Sequence, residues 1–282
     1  MPRNRAGGDV GRLIVSVVVH CSPLPVLTQT LTRLQEAGRR AVAAEAVSAV
    51  KVVVVDNGSA GDYGAELAAL IGRLEAAGMA VDLLPRSSNG GYAQGHNEVA
   101  TSGGDFRLIL NPDVFLEPDS LIRGLAYLRR QPQTGVVVPR VVDDQGRPAY
   151  LCKRYPSVSV LGLRGFAPAR LKRRFAKYLA DYEMRDLDWN RPRTDLEVVS
   201  GCCLLMHGRV WQETGGFCPD YFLYFEDFDF ALRARERMQI AYVPDFRVTH
   251  LGGDAARKGW HHRIWFVQSG WRFFNRHGWR WV

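Results

Sequence analysis

Two runs of β-branched residues, without alternating polar positions, constrain the fold of this 282-residue chain more than any other feature. They cover residues 13–19 (LIVSVVV) and residues 50–55 (VKVVVV). A strand with one solvated face alternates apolar and polar side chains, whereas a strand covered on both faces does not. The two runs therefore predict buried strands of a parallel sheet with helices on both faces.

The segments that follow these runs continue a strand–helix alternation. Helical patterns occupy residues 26–49, 62–77 and 119–130, and short strand patterns occupy residues 81–84 and 106–110. Asp62 stands where it would cap the second helix. The alternation indicates a doubly wound α/β half over about the first 140 residues, in which ligands bind at the carboxyl ends of the strands.

The second half of the chain has a less regular pattern. Residues 147–197 are rich in Lys and Arg and weakly periodic, so we expect a mobile loop-and-helix insertion. We predict one strand at residues 196–206 and a helix at residues 226–237 that opens at an acidic pair. Residues 240–243 and 246–249 resemble two short strands broken by a Pro-Asp step.

Composition narrows the class of protein. A net charge of +8 and a pI near 9.4 favour anionic partners. Five cysteines without a CxxC pair fit neither a disulfide framework nor a zinc site, and a reducing cytosol is the simplest location. The polar N-terminus has no apolar signal core, and no apolar run is long enough to predict a membrane-spanning helix.

Asn111-Pro112-Asp113 follows the predicted strand at residues 106–110. A carboxylate at a strand end is suited to hold Mg²⁺ or Mn²⁺, which would neutralise a departing diphosphate. An Asx-Pro turn is the alternative interpretation of the same residues.

Two further polar segments lie at predicted strand ends. Asp56, after the second buried run, would accept a hydrogen bond from the imide N–H of a pyrimidine base, or would serve only as a turn or helix cap. The segment 89–97 (NGGYAQGHN) has glycines typical of loops that bind phosphate through backbone N–H groups, although it matches neither GxGxxG nor a P-loop. Its alternative is a glycine-rich turn into a helix.

Residues 220–230 (DYFLYFEDFDF) set carboxylates among aromatic side chains. A buried carboxylate is costly to ionise, and such costs concentrate at catalytic sites. Glu226 or Asp227 would therefore act as a general base, with helix capping as the alternative. His250, after a predicted strand, is either a metal ligand or a structural histidine.

The last 28 residues, 255–282, contain no Asp or Glu, several Arg and Lys residues, and five of the seven tryptophans. We expect a basic, aromatic C-terminal helix here. Such a helix suits a peripheral contact with an anionic membrane surface, or its tryptophans complete the core or a dimer interface.

Together and in order, these segments resemble the glycosyltransferase family 2 proteins, inverting sugar transferases with a GT-A fold. The resemblance covers residues 15–277, and its segments are VSVVVHCS, VVVVDNGS, NGGYAQGHN, LILNPDV, SGCCLLMHGRVWQETGGF, DYFLYFEDFDFALRAR and VTHLGG. The branch that this chain looks most like contains bacterial rhamnosyltransferases of surface-polysaccharide assembly.

The resemblance implies a role for each motif. Asp227 would be the catalytic base with Glu226 beside it, and Asp113 and His250 would hold a divalent cation. The donor-binding residues would be His20, Cys21, Asp56, Asn89, Gly90, Gly91, Asn97 and Asn111. Asn111 stands at the position of the first acid in the family's metal-binding DxD motif. His20-Cys21 stands where the first strand of family members often ends in Asn-Tyr.

The resemblance also implies a domain plan and a reaction. A flexible N-terminus (1–12) would precede a catalytic domain (13–254), whose nucleotide-binding half (13–140) is followed by an acceptor-binding half (141–254). The expected reaction transfers a sugar, with rhamnose as the candidate, from a dTDP- or UDP-linked donor to a hydroxyl of a cell-surface polysaccharide or of a lipid-linked glycan. Its expected location is the cytoplasm, with a peripheral position at the inner face of the membrane. The alternatives are a nucleic-acid-binding protein, disfavoured by acids at the strand ends, and a sugar nucleotidyltransferase.

Overall fold

A nine-stranded sheet organises the protein in a computed structural model that describes residues 10–99, 104–252 and 260–282. Its first four strands are all parallel, and they are β1 (Arg12–Val19), β2 (Ala49–Asp56), β3 (Val81–Pro85) and β4 (Phe106–Leu110). Their spatial order is β3-β2-β1-β4. The predicted parallel half is confirmed.

The helices of the first half are α1 (Leu24–Ala43), α2 (Tyr63–Ala76), α3 (Gly91–Asn97) and α4 (Ser120–Arg130). Helix α1 ends before its predicted end at residue 49, because Glu45 has a φ of 52° and Ala46 N–H turns back to Ala41 O at 2.8 Å. Asp62 occupies the N-cap position of α2, but its side chain makes no capping hydrogen bond, so the predicted cap is wrong.

The second half adds strands of mixed direction. They are β5 (Val114–Leu116), β6 (Thr134–Val142), β7 (Pro148–Ala149), β8 (Cys152–Lys153), β9 (Val198–Val199), β10 (Cys203–His207) and β11 (Gln239–His250). The sheet continues from β4 through β10, β6 and β11 to β5, with β7 beside β6, while β8 and β9 form a separate pair. Because β10 is antiparallel to both β4 and β6, strand β6 runs in the direction of β1 and β4.

Two strand predictions of the second half are wrong. Residues 196–206 form two strands in two sheets, because Ser200 N–H still donates to Leu151 O beside β8 whereas Gly201 N–H donates to Asp227. Residues 240–249 belong to one strand, because a register shift between Val243 and Arg247 accommodates Pro244 as a β-bulge.

Both faces of the sheet are buried, as the apolar runs predict. Consecutive residues of β4 pack on opposite sides: Leu108 and Leu110 join one apolar cluster and Ile109 joins another. The first cluster includes leucines of α1, α2 and α4. The second includes residues of α8 (Gly208–Thr214) and α9 (Glu226–Arg235).

A third apolar cluster joins the C-terminal helix α10 (Trp260–His277) to the predicted insertion, whose helices are α5 (Val158–Phe166), α6 (Ala169–Arg174) and α7 (Ala176–Tyr182). The predicted C-terminal helix is present, with Phe273 and Phe274 buried. Among the described residues, no helix combines the length and the apolar character needed to cross a bilayer. The proposed flexible N-terminus falls largely on residues 1–9, which lie outside the described residues.

Candidate active site

The sequence-predicted site residues are brought to one edge of the sheet. Strands β1, β2 and β4 end there, with Val19 paired to Asp56. Strands β6 and β11 run parallel and end together, and β11 brings His250 opposite Val114, directly after the NPD turn. The carboxyl edge of a parallel sheet is where α/β folds bind ligands.

Asp56, His20 and Cys21 share one loop junction. The Asp56 carboxylate is buried and accepts a hydrogen bond from Ser59 N–H at 3.1 Å. The Ser59 hydroxyl accepts one from Cys21 N–H at 2.9 Å, and His20 Nδ1 lies 3.2 Å from Asn57 O. One Asp56 oxygen thus closes the turn, and the other makes no hydrogen bond to the described residues.

Asn57 and Arg86 organise the glycine loop, although the sequence interpretation assigned neither a role. Asn57 Nδ2 donates to Asn89 Oδ1 at 2.9 Å and to Gly91 O at 3.0 Å. Asn57 Oδ1 accepts from Arg86 at 2.8 Å and from Gly90 N–H at 3.3 Å. The position of Asn57 beside Asp56 at a strand end could have indicated a functional role from sequence alone. Arg86 is isolated in the sequence, and no pattern there indicates a role for it.

Gly91 joins this loop to the aromatic acid motif. Its φ is +87°, and a Cβ there would lie 2.2 Å from Phe222 O. The next amide, Tyr92 N–H, donates to the same Phe222 carbonyl at 2.9 Å. Only glycine combines this φ with so close a backbone approach.

Asn97 has a different environment from the other predicted donor residues. Its Nδ2 donates to Phe217 O at 2.7 Å, and its Oδ1 accepts from Phe217 N–H at 3.0 Å. Both ends of the amide therefore hold the loop after α8. Its assignment to donor binding remains a prediction.

Asp113 and His250 approach each other from distant parts of the chain. His250 Nε2 lies 3.3 Å from Asp113 Oδ1, and Leu251 N–H donates to Asp113 O at 3.1 Å. The Oδ1 atom is buried and makes no hydrogen bond within the described part of the chain. A buried carboxylate oxygen beside an imidazole nitrogen fits a divalent cation that takes oxygen and nitrogen ligands.

The described residues contain no group of three or more His, Cys, Asp or Glu side chains arranged around a metal position. Asn111 Oδ1 already accepts a hydrogen bond from the Tyr92 hydroxyl at 2.8 Å. A cation at Asp113 and His250 would therefore take its remaining ligands from water and from phosphate oxygens, as Mg²⁺ commonly does.

The acid pair opens helix α9 after a strained turn. Tyr224 and Phe225 have φ values of 71° and 66°, in the left-handed region that non-glycine residues rarely adopt. Such strain costs of order 1–3 kcal/mol per residue and is characteristic of functional sites. It fixes the direction in which Glu226 and Asp227 leave the turn.

The pKa values of both acids are raised. Glu226 is 5% exposed, and burial together with the charge of Asp227 raises its pKa well above the ordinary value. Burial raises the pKa of Asp227 to about 6, opposed by backbone hydrogen bonds. These bonds come from Gly201 N–H to Oδ2 at 2.8 Å and from Phe228 N–H to Oδ1 at 2.9 Å. At neutral pH we therefore expect a protonated Glu226 beside an ionised Asp227.

Tyr92 links the NPD turn to Gly201, which holds Asp227. Its hydroxyl lies 2.8 Å from Asn111 Oδ1 and 3.0 Å from Gly201 O. Asn111 belongs to the NPD turn, and Gly201 N–H holds Asp227. The sequence interpretation included Tyr92 in a motif but gave it no role.

Tyr92 and Cys202 have carboxylates around them. Burial is the main cause of the raised pKa of Tyr92, and Glu226, Asp227 and Asp113 add to it. Burial also raises the pKa of the Cys202 thiol, with contributions from Asp113 and Asp227. The assignment of Asp113 and Asp227 to one site remains a prediction.

The C-terminal helix is anchored to the acid motif. Asp229 is fully buried and lies 2.8 Å from His277 Nε2 and 2.7 Å from Arg233. Burial by itself would raise the pKa of Asp229, but the His277 hydrogen bond and the Arg233 charge outweigh it and lower the pKa. Helix α10 is therefore part of the wall behind the site.

Solved structures with the same fold are glycosyltransferases. One is GalNAc-T7 with UDP, GalNAc and Mn²⁺, at a TM-score of 0.60 and 14% identity, with 85% of this chain and 43% of that chain covered. Another is a mannosyltransferase from Pyrobaculum calidifontis with GDP-Man and Mn²⁺, at a TM-score of 0.59 and 17% identity, covering 94% and 64%. This chain thus spans less than half of the GalNAc-T7 chain. The fold is that of the GT-A glycosyltransferases.

Residues 14–266 match the family described as "Glycosyltransferase like family 2". The chain belongs to this family and is a family 2 glycosyltransferase. A relative from Mycobacterium tuberculosis, an N-acetylglucosaminyl-diphospho-decaprenol L-rhamnosyltransferase, is 29% identical over 90% of this chain and 85% of its own length. The resemblance found in the sequence is confirmed.

Proposed function

We propose that this enzyme transfers a sugar, with rhamnose as the leading candidate, from a nucleoside-diphosphate donor to a hydroxyl of a lipid-linked glycan with inversion. The observation that carries the proposal is the hydrogen-bonded path from Asn111 of the NPD turn through Tyr92 and Gly201 to Asp227. The choice of rhamnose and of a lipid-linked acceptor comes from the relative's name.

The donor would bind over residues 13–140. Asp56 would contact the base, with His20 and Cys21 beside it, and the loop at Asn89, Gly90 and Gly91 would face the phosphates. The hydrogen bonds that support this loop, from Asn57 and Arg86, keep its backbone fixed before the donor arrives. Asn97 and Asn111 would support donor binding indirectly, by hydrogen bonds that hold the neighbouring loops in place.

A divalent cation would be held by Asp113 and His250. When bound, it would supply a Lewis acid that stabilises the departing nucleoside diphosphate. The two protein ligands lie 3.3 Å apart at one end of β11, which suits a cation that is shared with a substrate phosphate. Mn²⁺ in similar folds supports the same choice of ion.

Asp227 would be the base. With a pKa of about 6 it is largely ionised at neutral pH, and it retains enough basicity to take the proton of an attacking hydroxyl. Glu226, protonated beside it, would either bind the acceptor or keep the Asp227 side chain in its orientation. The acceptor would occupy the half formed by residues 141–254.

A cytoplasmic enzyme with a peripheral seat on the inner membrane face completes the proposal. Trp260 is 70% exposed and Trp271 is 60% exposed, and both lie on a helix that carries no acid. Exposed tryptophans among basic residues are typical of interfacial helices.

The test is a thermal-shift series with dTDP-, UDP- and GDP-linked sugars, each with and without Mn²⁺. A donor that binds the folded protein raises its melting temperature by mass action. We expect one nucleotide class to raise it in the presence of Mn²⁺ and much less in its absence. The absence of any shift at millimolar donor would contradict the proposal.

A further inference from the structure

Lys153 is a buried cation that no part of the reaction described above uses. It lies on β8, is 7% exposed, and donates from Nζ to Tyr150 O at 2.7 Å. No carboxylate of the described residues forms an ion pair with it. Burying a charge without a counter-charge is costly, so such a lysine marks a place where an anion would be stabilised.

A second cation lies beside Lys153 across one aromatic ring. The Lys153 ammonium lies 5.5 Å from the centre of the Tyr182 ring, and the Arg164 guanidinium lies 5.4 Å from it. The Glu183 carboxylate pairs with Arg164 at 3.4 Å and with Arg185. The three cations thus have two carboxylates near them, Glu183 and the more distant Asp227, which leaves one cation without a counter-charge.

These cations lie next to the catalytic base. Strand β8 pairs with β9 through Lys153 and Val198, and two residues past β9 Gly201 N–H holds Asp227 at 2.8 Å. Burial lowers the pKa of Lys153 to about 7, and the charge of Lys153 in turn lowers the pKa of Asp227. A group bound at Lys153 would therefore adjoin an acceptor hydroxyl bound at Asp227.

On the outer side of Arg164 the surface becomes apolar. Phe166, two residues along α5, is exposed and contacts Phe266 of α10 with ring centres 6.4 Å apart. Helix α10 also carries an exposed apolar stripe opposite its buried face, made of Trp260, Ile264, Val267 and Trp271. These positions are spaced by four, three and four residues, so they lie along one side of the helix.

The order of chemical groups along this surface is a carboxylate base, a pair of cations and an apolar stripe. A lipid-linked sugar has the matching order of hydroxyl, diphosphate and hydrocarbon. We propose that Lys153 and Arg164 bind the diphosphate of such an acceptor, whose lipid leaves over Phe166 toward the α10 stripe. This inference rests on the proposed function, because it names the group by which the same site selects its acceptor.

The basic helix α6 supports a path for the lipid that leads from Phe166 toward the membrane. It holds Arg170, Lys172, Arg173 and Arg174 without a buried residue, and it follows Phe166 in the chain. Cations flanking an apolar surface suit anionic headgroups around the point where a lipid chain enters the bilayer. The acceptor would thus reach the site from the membrane side without leaving the lipid phase completely.

The test measures binding by isothermal titration to the full-length protein. The probes are farnesyl diphosphate, as a lipid diphosphate without a sugar, and the nucleoside diphosphate selected by the thermal-shift series, with Mn²⁺. The variants are Lys153→Met, Lys153→Arg and Arg164→Gln. The control is Lys51→Met, which removes an exposed lysine of β2 that pairs with Asp82.

We expect Lys153→Met and Arg164→Gln each to weaken farnesyl diphosphate binding by about tenfold or more, the loss typical of a charged hydrogen bond. Lys153→Arg would retain part of the affinity, and Lys51→Met all of it. Nucleoside diphosphate binding would be unchanged in every variant, which also shows that each variant is folded.

Two results would overturn the inference while leaving the proposed function intact: wild-type protein that binds the nucleotide but not farnesyl diphosphate, or undiminished farnesyl diphosphate binding in Lys153→Met. Equal losses for both ligands in the folded variants would assign these cations to the donor instead. Failure of the proposed function would be separate, because no nucleotide sugar would then bind the wild-type protein.

Discussion

Asp227 Oδ2 accepts a hydrogen bond from Gly201 N–H at 2.8 Å, across the point where β9 and β10 separate. A Cβ at Gly201 would lie 2.9 Å from Asp227 Cβ, so the glycine permits this close approach. The same Gly201 contacts the Tyr92 hydroxyl through its carbonyl at 3.0 Å. Gly201 thus holds the proposed base through its N–H and contacts Tyr92 through its carbonyl.

The burial of Asp227 predicts that its ionised carboxylate lowers the stability of the folded protein. Because its folded-state pKa is raised from 3.8 to about 6, the ionised carboxylate destabilises the folded protein at pH 7, and the penalty vanishes as pH falls toward the unfolded pKa. Asp227→Asn removes the charge but leaves one of two backbone N–H donors without an acceptor, so the gain in the free energy of unfolding at pH 7 should be at most about 1–3 kcal/mol. Melting curves should show the gain at pH 7 and little gain at pH 4. An equal gain at both values would rule out this explanation.

The same pKa predicts the pH dependence of turnover. The base must be ionised to accept a proton, so kcat/KM should rise with pH up to about 6 and fall about tenfold per unit below it. Initial rates between pH 4.5 and 8, with stability verified at each value, measure this limb. A rate that is constant down to pH 4.5 would exclude Asp227 as the base.

Gly91 should be irreplaceable for backbone reasons. Gly91→Ala combines a positive φ with a Cβ 2.2 Å from Phe222 O, so we expect a loss of more than about 2 kcal/mol in unfolding free energy together with weaker donor binding. Gly72→Ala is the matched control, because a Cβ there meets nothing within 4 Å on helix α2. That substitution should be neutral or stabilising by up to about 1 kcal/mol. Similar denaturation midpoints for the two variants would contradict the strain argument.

The pairing of Asp113 with His250 predicts metal dependence. His250→Ala removes one of two protein ligands and should raise the Mn²⁺ concentration needed for half-maximal nucleotide binding by at least about tenfold. His261→Ala changes an exposed histidine of α10 and should leave that concentration unchanged. Titration of Mn²⁺ at fixed nucleotide measures both variants. Identical curves for His250→Ala and the wild-type protein would remove His250 from the metal site.

The parallel half of the fold was predictable because its strands are buried on both faces and therefore have continuous apolar runs. The error at residues 196–206 has a physical cause that sequence patterns do not contain. Both β9 and β10 are apolar and β-branched or aliphatic, so they resemble one strand. What separates them is a tertiary event, the capture of Gly201 N–H by a carboxylate 26 residues later.

The site was predictable to the extent that its chemistry lies in motifs at strand ends. Asp113, Asp227 and His250 carry charge or basicity that a ligand needs, and the sequence identifies them. Asn57 hydrogen-bonds to Asn89 and Gly91, which are 32 and 34 residues away, and to Arg86, which is 29 residues away. These partnerships exist only after folding. The raised pKa values of Glu226 and Asp227 likewise depend on burial, which the motif does not specify.

The central claim is that Asp113 and Asp227 serve one reaction in two roles. Its direct test compares Asp113→Asn, Asp227→Asn and the exposed control Asp144→Asn. Sugar transfer and Mn²⁺-dependent donor binding are measured with the donor selected by thermal shift. NMR gives the anomeric configuration of the product. We predict a product with inverted configuration for the wild-type protein and the control. Asp113→Asn should lose both donor binding and transfer. Asp227→Asn should keep donor binding but transfer the sugar about 10²–10⁴ times more slowly. Undiminished transfer by Asp227→Asn, or a product with retained configuration, would contradict the account.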